Sequence, residues 1–106
     1  MFNELGWGFS EKDYQSALAK ELEDKNIKFV REVYIPINYK ETLIKKYYAD
    51  FVIYGKILVE LKVVPRLGYF HVRQLLNYLR LSGIRLGILI YFSKEGIKYR
   101  RVLNPL

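Results

Sequence analysis

The chain of 106 residues has 51% hydrophobic residues, 27% charged residues and no cysteine. This composition excludes a disordered chain, a disulfide framework and a thiolate metal site, and the length suits one domain, residues 1–106. The 18 Lys and Arg against 11 Asp and Glu give a formal charge of +7, which favours a polyanionic partner, nucleic acid first. No apolar run is long enough to span a bilayer and no secretory signal is recognisable, so we expect a cytoplasmic protein without a membrane partner.

Two helices and a set of strands are predicted along the chain. "FSEKDYQSALAKELEDKNI" predicts a helix that Ser10 caps and Asn26 ends. "KFVREVYIPINY" predicts a strand in which Pro36 indicates a sheet edge or an exit from the ladder. "IKKYYADFVIY" and "KILVELKVV" predict two strands joined around Gly55, and "YFHVRQLLNYLRLSG" a second helix that ends at Gly83. "RLGILIYF" and "IKYRRVL" are the last strands. The order α-β-β-β-α-β with one extra strand indicates an α/β (α+β) domain with helices around one mixed sheet.

The hairpin "DFVIYGKILVELKVV" carries charges inside an apolar segment, and its turn decides where they point. Strand alternation puts Glu60 and Lys62 on one face, and Tyr48, Asp50 and Val52 on one face of the preceding strand. A two-residue loop would set Asp50 opposite Leu61, on the other face from Glu60. A three-residue loop, residues 54–56, would instead set Asp50 opposite Glu60.

In the three-residue register, two carboxylates stand side by side with a lysine nearby. A divalent cation such as Mg²⁺ (or Mn²⁺) would relieve their repulsion and leave positions for water and a phosphate oxygen. Lys62 would then orient the attacking water or stabilise the charged phosphate. The alternative is an ordinary hairpin whose Glu60 and Lys62 form a solvated face.

These motifs resemble those of a known family. Asp50, a turn and then "ELK" (Glu60, Leu61, Lys62) resemble the D…(D/E)-x-K signature of the PD-(D/E)xK nuclease superfamily, and the element order resembles its restriction-endonuclease-like core. Gln74 and Tyr78 in "RQLLNYL" resemble the Q-x-x-x-Y pattern of its RecB-like and exonuclease-like branches, and the whole chain is similar to the small GxxJ proteins.

The resemblance implies a metal-dependent nuclease that hydrolyses DNA phosphodiester bonds. The alternatives are a nucleic-acid-binding or assembly module on the same fold with little or no turnover, and a dimerising scaffold unrelated to nucleic acid. The sequence departs from the pattern at Ala49, where the superfamily often has proline, and at Gln15, where many GxxJ proteins have an acid.

The resemblance also assigns roles to residues outside the hairpin. A first-helix glutamate, Glu11 or Glu21 with Glu11 favoured, would join Asp50 and Glu60 as a metal ligand. The alternatives are a helix-dipole partner for Glu11 and a salt bridge at the sheet edge for Glu21. Gln74 would position the water or a phosphate, and Tyr78 and Arg73 would contact the substrate, although Tyr78 also fits a packing role. Because so short a domain has little surface beyond its cleft, we expect a homodimer.

Overall fold

The computed structural model describes residues 2–105, so Met1 and Leu106 of the predicted domain lie outside the described residues. The elements follow the predicted order, with a short N-terminal helix in addition. They are α1 (Phe2–Leu5), α2 (Glu11–Asp24), β1 (Phe29–Tyr39), β2 (Thr42–Ile53), β3 (Ile57–Val63), α3 (Tyr69–Ser82), β4 (Leu86–Ser93) and β5 (Gly96–Leu103).

The strands form one mixed sheet in the order β1-β2-β3-β4-β5. β3 and β4 are parallel and all other neighbours are antiparallel. Parallel neighbours need a crossover connection, and α3 supplies it between β3 and β4. β1 lies at the edge of the sheet, as Pro36 predicted. The predicted α+β mixed-sheet architecture is therefore confirmed.

The helix ends agree with the sequence prediction. The Ser10 hydroxyl accepts a hydrogen bond from the Asp13 backbone N–H and the Ser10 N–H donates to the Asp13 carboxylate, both at 3.1 Å. Asn26 (φ 57°) follows the end of α2 and Gly83 (φ 76°) ends α3, both in the left-handed conformation. No helix within residues 2–105 has the length and apolarity needed to cross a bilayer.

Two hydrophobic clusters lie on opposite faces of the sheet. One packs beneath α3 and includes Leu75 and Leu79 of that helix with Leu58 of β3. The other packs beneath α2 and includes Tyr14 of that helix with Val59 of β3 and Phe92 of β4. Adjacent residues of β3 thus serve opposite clusters, as strand alternation requires.

Alternation is interrupted in β2 at Asp50. Ala49 belongs to the cluster beneath α3, whereas Phe51, two residues on, belongs to the cluster beneath α2. Opposite Asp50 in β1, Glu32 has a positive φ of 51°, and these two residues drop out of the regular β1–β2 pairing. Because of this irregularity, the side chains of β2 after Asp50 point to the face opposite to the one that regular alternation would give them.

The prediction that Tyr48, Asp50 and Val52 share one face is therefore wrong. Val52 is buried beneath α3, whereas Tyr48 is 53% exposed and its ring lies 5.3 Å from that of Tyr34. The neighbouring Tyr47 is the residue that packs beneath α3. A prediction from period-two alternation assumes a regular strand, and the irregular backbone at Glu32 and Asp50 removes that condition.

Candidate active site

The turn of the β2–β3 hairpin contains three residues. The register pairs Phe51 with Val59 and Ile53 with Ile57, which leaves residues 54–56 as the loop. Tyr54 and Gly55 both have positive φ, 53° and 66°, and the Lys56 N–H donates to the Ile53 carbonyl at 2.9 Å. Of the two loops considered from the sequence, the structure therefore has the three-residue one. Its register, extended by one residue beyond Phe51 and Val59, sets Asp50 opposite Glu60.

The two strands separate just before these acids can pair as backbone neighbours. Regular β2–β3 pairing stops at Phe51 and Val59, after which β2 follows β1 and β3 follows β4. In the fork, the Asp50 carboxylate accepts a hydrogen bond of 2.8 Å from the Leu61 backbone N–H. The Asp50 backbone N–H in turn donates to the Glu60 carboxyl group. Side-chain carboxylates thus replace backbone carbonyls as acceptors where the ladder opens.

A cavity of about 260 Å³ lies at this fork. Three of its lining residues are the motif residues Asp50, Glu60 and Lys62. The others come from β2, α3 and β4: Lys45, Tyr47, Tyr48, His71, Gln74, Leu75, Tyr78 and Leu89. The structure therefore brings together the hairpin triplet with Gln74 and Tyr78, and neither Glu11 nor Arg73 lines this cavity.

Glu60 is a buried acid that lacks full compensation. It is 7% exposed, and its Oε1 atom has no hydrogen-bond partner among residues 2–105. Burial raises the pKa of Glu60 to about 8, because the positive charge of Lys62 only partly offsets it and the negative charge of Glu11 adds to it. An unpaired buried carboxyl oxygen costs free energy unless a ligand satisfies it.

Asp50 is held in a more polar setting. Burial raises its pKa, while the Leu61 N–H and the charge of Lys62 oppose that effect. The two acids therefore differ in their environments: Asp50 has hydrogen-bond donors, and Glu60 keeps an oxygen without one. Lys62 acts on both, since its charge lowers the pKa of each acid.

Two residues of α2, Glu11 and Gln15, also influence the acids at the fork. The negative charge of Glu11, in the first turn of α2, raises the pKa of both Asp50 and Glu60. Gln15 lies one turn further along α2 and its side chain forms a hydrogen bond with Asp50 that lowers the pKa of that acid. Glu21 forms an ion pair with Lys25 at 3.6 Å, so it has a salt bridge as considered, but at the end of α2 and not at the sheet edge.

Gln15 is a site residue that the sequence prediction missed. In the sequence, position 15 stands out only as a departure from the GxxJ resemblance. An amide at this position satisfies Asp50 without adding another negative charge. Its position four residues after Glu11 puts both on one helix face, and that spacing was the available signal.

The helix α3 covers the cavity with polar and aromatic side chains. Tyr78 is buried and its ring stacks on that of Tyr47 at 3.5 Å between centroids, so it has the packing role considered for it. Its hydroxyl also accepts a hydrogen bond of 3.3 Å from Lys45 Nζ. The Tyr47 hydroxyl is buried without a hydrogen-bond partner among the described residues. His71 Nδ1 accepts from the Gly68 N–H at 3.0 Å and fixes the start of α3.

The donor set suits a hard divalent cation in part. Within residues 2–105, no group of three or more His, Cys, Asp and Glu is close enough together to hold a metal ion. However, Mg²⁺ binds through one or two carboxylates and keeps several waters. Glu60, with its unpartnered oxygen, and Asp50 in the same cavity are two carboxylates of this kind, so the residues present fit Mg²⁺.

The sequence model of the PD-(D/E)XK nuclease superfamily matches residues 1–102. The chain belongs to the PD-(D/E)XK nuclease superfamily. This confirms the resemblance of the motifs, while the narrower GxxJ name stays a prediction. No curated protein matches the sequence significantly.

Solved structures have the same fold as this PD-(D/E)XK domain. The crystal structure of SSO0001 superposes with a TM-score of 0.65 at 25% identity, over 90% of this chain and 50% of that one. An alkaline exonuclease, LHK-Exo from Laribacter hongkongensis, superposes with a TM-score of 0.61 at 10% identity, over 83% of this chain and 53% of that one. LHK-Exo in complex with dAMP gives 0.60 at 11% identity, over 83% and 52%. The PD-(D/E)XK chain described here therefore spans about half the length of these proteins, and the restriction-endonuclease-like fold is confirmed.

Proposed function

We propose that this PD-(D/E)XK domain, residues 1–106, hydrolyses phosphodiester bonds in DNA with the help of a divalent metal ion. The observation that carries the proposal is the buried Glu60 Oε1 atom, which has no hydrogen-bond partner among residues 2–105 and lines one cavity with Asp50 and Lys62. Membership of a nuclease superfamily supports it. The likeness of the fold to an alkaline exonuclease, which has been crystallised with the nucleotide dAMP, adds support for nucleic acid as the substrate.

Asp50 and Glu60 would hold Mg²⁺ or Mn²⁺ directly, and Glu11, the third ligand that the resemblance assigns, would reach the ion through a bound water. When bound, the ion would neutralise charge on the attacked phosphate and lower the pKa of a coordinated water. Glu60 must lose its proton to serve as a ligand, because a metal binds the carboxylate and not the acid. The hydrogen bond from Leu61 fixes the Asp50 carboxylate in the direction of the cavity before any ion arrives.

The remaining cavity residues would act on the substrate and the water. The Lys62 ammonium would donate hydrogen bonds to a phosphate oxygen or to the attacking water, and stabilise negative charge in the transition state. The Gln74 amide offers both a donor and an acceptor and would orient that water or a phosphate. Tyr78 would act through Lys45, whose ammonium it holds at the cavity, and Arg73 would contact the phosphate backbone outside it.

A cleavage assay tests the proposal. Wild-type protein is incubated with supercoiled plasmid and linear DNA in Mg²⁺, in Mn²⁺ and in EDTA, and Glu60→Gln is run beside it. We expect nicking or shortening by wild-type protein with either metal and none in EDTA or with Glu60→Gln, whose circular dichroism spectrum should match wild type. Cleavage that persists in EDTA, or in Glu60→Gln, would contradict the proposal.

A second candidate is a nucleic-acid-binding or assembly module with little or no turnover on the same fold. The observation that favours it is the absence, within residues 2–105, of three or more acids or histidines grouped around one metal position. Under this candidate, wild-type protein binds DNA without cleaving it in any metal, and binding survives Asp50→Asn and Glu60→Gln.

We also propose that the domain forms a homodimer. The edge strands β1 and β5 expose apolar side chains, among them Val30, Tyr34, Ile97 and Tyr99. Exposed apolar edges of this kind pair with another chain unless something covers them. Sedimentation velocity at several protein concentrations tests this proposal, and a monomer throughout would contradict it. The cytoplasmic location stays a prediction from the sequence.

A further inference from the structure

A second, larger groove adjoins the cavity that holds Asp50 and Glu60. It has a volume of about 780 Å³ and lies between the outer face of α3 and the β1–β2 hairpin. Its wall on α3 carries Tyr69, Phe70, Arg73 and Arg80, and Lys45 of β2 faces them. We call these five residues and the space between them the α3 groove.

The α3 groove combines exposed aromatic rings with positive charge. Tyr69 is 77% exposed and Phe70 is 67% exposed, although both are large enough to have been buried in a core. The Arg73 guanidinium lies 5.8 Å from the centre of the Tyr69 ring. Among residues 2–105, no Asp or Glu lines the groove. Two exposed rings beside three cations and no anion form a surface for a ligand that is both planar and negatively charged.

The α3 groove is continuous with the proposed catalytic cavity. Lys45, Gln74 and Tyr78 line both spaces, so the Lys45 ammonium stands at the boundary between them. The ring of Phe70 also lies 5.7 Å from that of His71, which lines the catalytic cavity. A polymer whose phosphate occupies the cavity therefore has its adjoining nucleotides at the rings of the groove.

We propose that the α3 groove binds an unpaired stretch of nucleic acid next to the bond that is hydrolysed, with bases stacked on Phe70 and Tyr69 and phosphates on Arg73, Arg80 and Lys45. This inference rests on the proposed function and extends it to the form of the substrate. Within a duplex the base faces are covered by their neighbours, so exposed rings gain nothing from a regular double helix. In a single strand every base offers a free face, and one stacked base contributes about 1–3 kcal/mol.

The two arginines extend the contact along the strand. Arg73 and Arg80 are seven residues apart on α3, which places them about 10 Å apart along the helix axis at ~1.5 Å per residue. They would therefore contact different phosphates of the strand. Each such contact adds a salt-dependent part to the binding free energy.

The test measures binding without cleavage. Metal-free protein in EDTA is titrated into a fluorescein-labelled single-stranded DNA oligonucleotide and into the matching blunt duplex, and anisotropy is recorded. We expect wild-type protein to bind the single strand more tightly than the duplex. Phe70→Ala should weaken single-strand binding by about 5- to 150-fold, which corresponds to the loss of one stacked base. Arg80→Gln should weaken binding and reduce its dependence on salt concentration.

The matched control is Trp7→Ala, because Trp7 is a ring 44% exposed in the loop between α1 and α2 and does not line the α3 groove. It should leave binding unchanged. Equal affinity for single strand and duplex, or unchanged single-strand affinity in Phe70→Ala, would overturn the inference. A change from dimer to monomer in Phe70→Ala, with unchanged DNA affinity, would also overturn it and assign the groove to a contact between copies of the chain.

The outcome is separable from that of the proposed function. If wild-type protein fails to cleave DNA in Mg²⁺ or Mn²⁺ but Phe70→Ala loses single-strand binding, the role of the α3 groove is supported and the proposed hydrolysis is wrong. If wild-type protein cleaves DNA but Phe70→Ala binds like wild type, the proposed hydrolysis is supported and the role of the α3 groove is wrong.

Discussion

The Asp50 carboxylate accepts a hydrogen bond of 2.8 Å from the backbone N–H of Leu61, the residue between Glu60 and Lys62. This one contact ties the first acid of the motif to the strand that carries the other two residues, at the point where β2 and β3 part. The hydrogen bond satisfies a backbone donor that the open ladder would otherwise leave without its partner strand. The same carboxylate therefore has a structural role and a proposed role in metal binding.

Asp50→Asn separates these two roles. The amide oxygen of asparagine still accepts from the Leu61 N–H, so we expect the far-ultraviolet circular dichroism and the melting temperature to stay close to wild type. DNA cleavage in Mg²⁺ should fall further than the roughly 10- to 100-fold that follows loss of a ligand's hydrogen-bond partner, because the variant lacks a proposed ligand itself. Initial rates of plasmid nicking give the measurement.

Asp24→Asn is the matched control for this substitution. It also converts an aspartate to an amide, but Asp24 is an exposed partner of Lys20 at the end of α2. We expect cleavage by this variant at the wild-type rate. Equal loss in both variants would show that net charge, and not the position of Asp50, controls cleavage.

The buried Glu60 predicts how the stability of the metal-free protein depends on pH. Its pKa in the folded state is about 8, above the ordinary value of 4.5, so the folded state binds this proton more tightly than the unfolded state. Its contribution is therefore fully present below about pH 4.5 and is lost as the pH rises toward 8. Urea unfolding in EDTA between pH 5 and pH 9 should show a free energy of unfolding that falls by a few kcal/mol over this range, at about 1.4 kcal/mol per pKa unit.

Glu60→Gln removes the ionisation and keeps the shape of the side chain. We expect this variant to lose most of the pH dependence and to be more stable than wild type at pH 9 in EDTA. The raised pKa of Asp50 acts in the same direction, so a small remaining slope belongs to that residue. Parallel curves for wild type and Glu60→Gln would mean that Glu60 titrates near its ordinary pKa.

Much of this architecture follows from local sequence signals. Ser10 with Asp13 and the glycine at position 83 mark helix ends, because a cap requires a side-chain acceptor and a left-handed end favours glycine. Pro36 indicates an edge strand, since it lacks an N–H for a second neighbour. These signals depend on a few adjacent residues, so they are readable without tertiary contacts.

The details of the site depend on backbone conformations that side-chain patterns do not encode. Tyr54, in the β2–β3 turn, and Glu32, in β1, adopt positive φ, which non-glycine residues do rarely. The positive φ of Tyr54 belongs to the three-residue turn. Because the sequence pattern does not reveal this conformation, it left two registers of the hairpin open. Glu32 lies opposite the point where β2 changes face, which brings Tyr47 and not Tyr48 beneath α3. A regular period-two pattern cannot anticipate this change.

The charge of Lys62 predicts a shift in the pH profile of cleavage. This charge lowers the pKa of both Asp50 and Glu60, so Lys62→Gln should raise both and move the rising limb of the profile to higher pH. It should also lower the maximal rate, because the proposed phosphate contact is lost. Lys62→Arg keeps the charge and should leave the pH of the rising limb close to that of wild type. A lower rate in Lys62→Gln with an unshifted pH profile would mean that Lys62 contacts the substrate but does not control the pKa of the two acids.

Metal binding should stabilise the protein in a pH-dependent way. An ion that binds only the folded state raises the free energy of unfolding by RT ln(1 + [M]/Kd), and under the proposed function it requires the deprotonated Glu60. We therefore expect 10 mM Mg²⁺ to raise the melting temperature more at pH 8.5 than at pH 6.5. The increase should vanish in Asp50→Asn and Glu60→Gln and persist in Asp24→Asn. An equal increase in all four proteins would indicate a general ionic effect.

Gly87 of β4 predicts a packing limit beneath α3. A Cβ atom at this position would lie 2.9 Å from Leu75 Cδ2 and 3.2 Å from Leu79 Cδ1. Both leucines are fully buried, so they have little room to move away, and overpacking costs about 1–3 kcal/mol. Gly87→Ala should lower the free energy of unfolding by that amount in urea titrations. The control is the same change in a Leu75→Ala background, where the crowded side chain is absent and Gly87→Ala should cost less. An equal cost of Gly87→Ala in both backgrounds would contradict the assignment of the effect to the contact between β4 and α3.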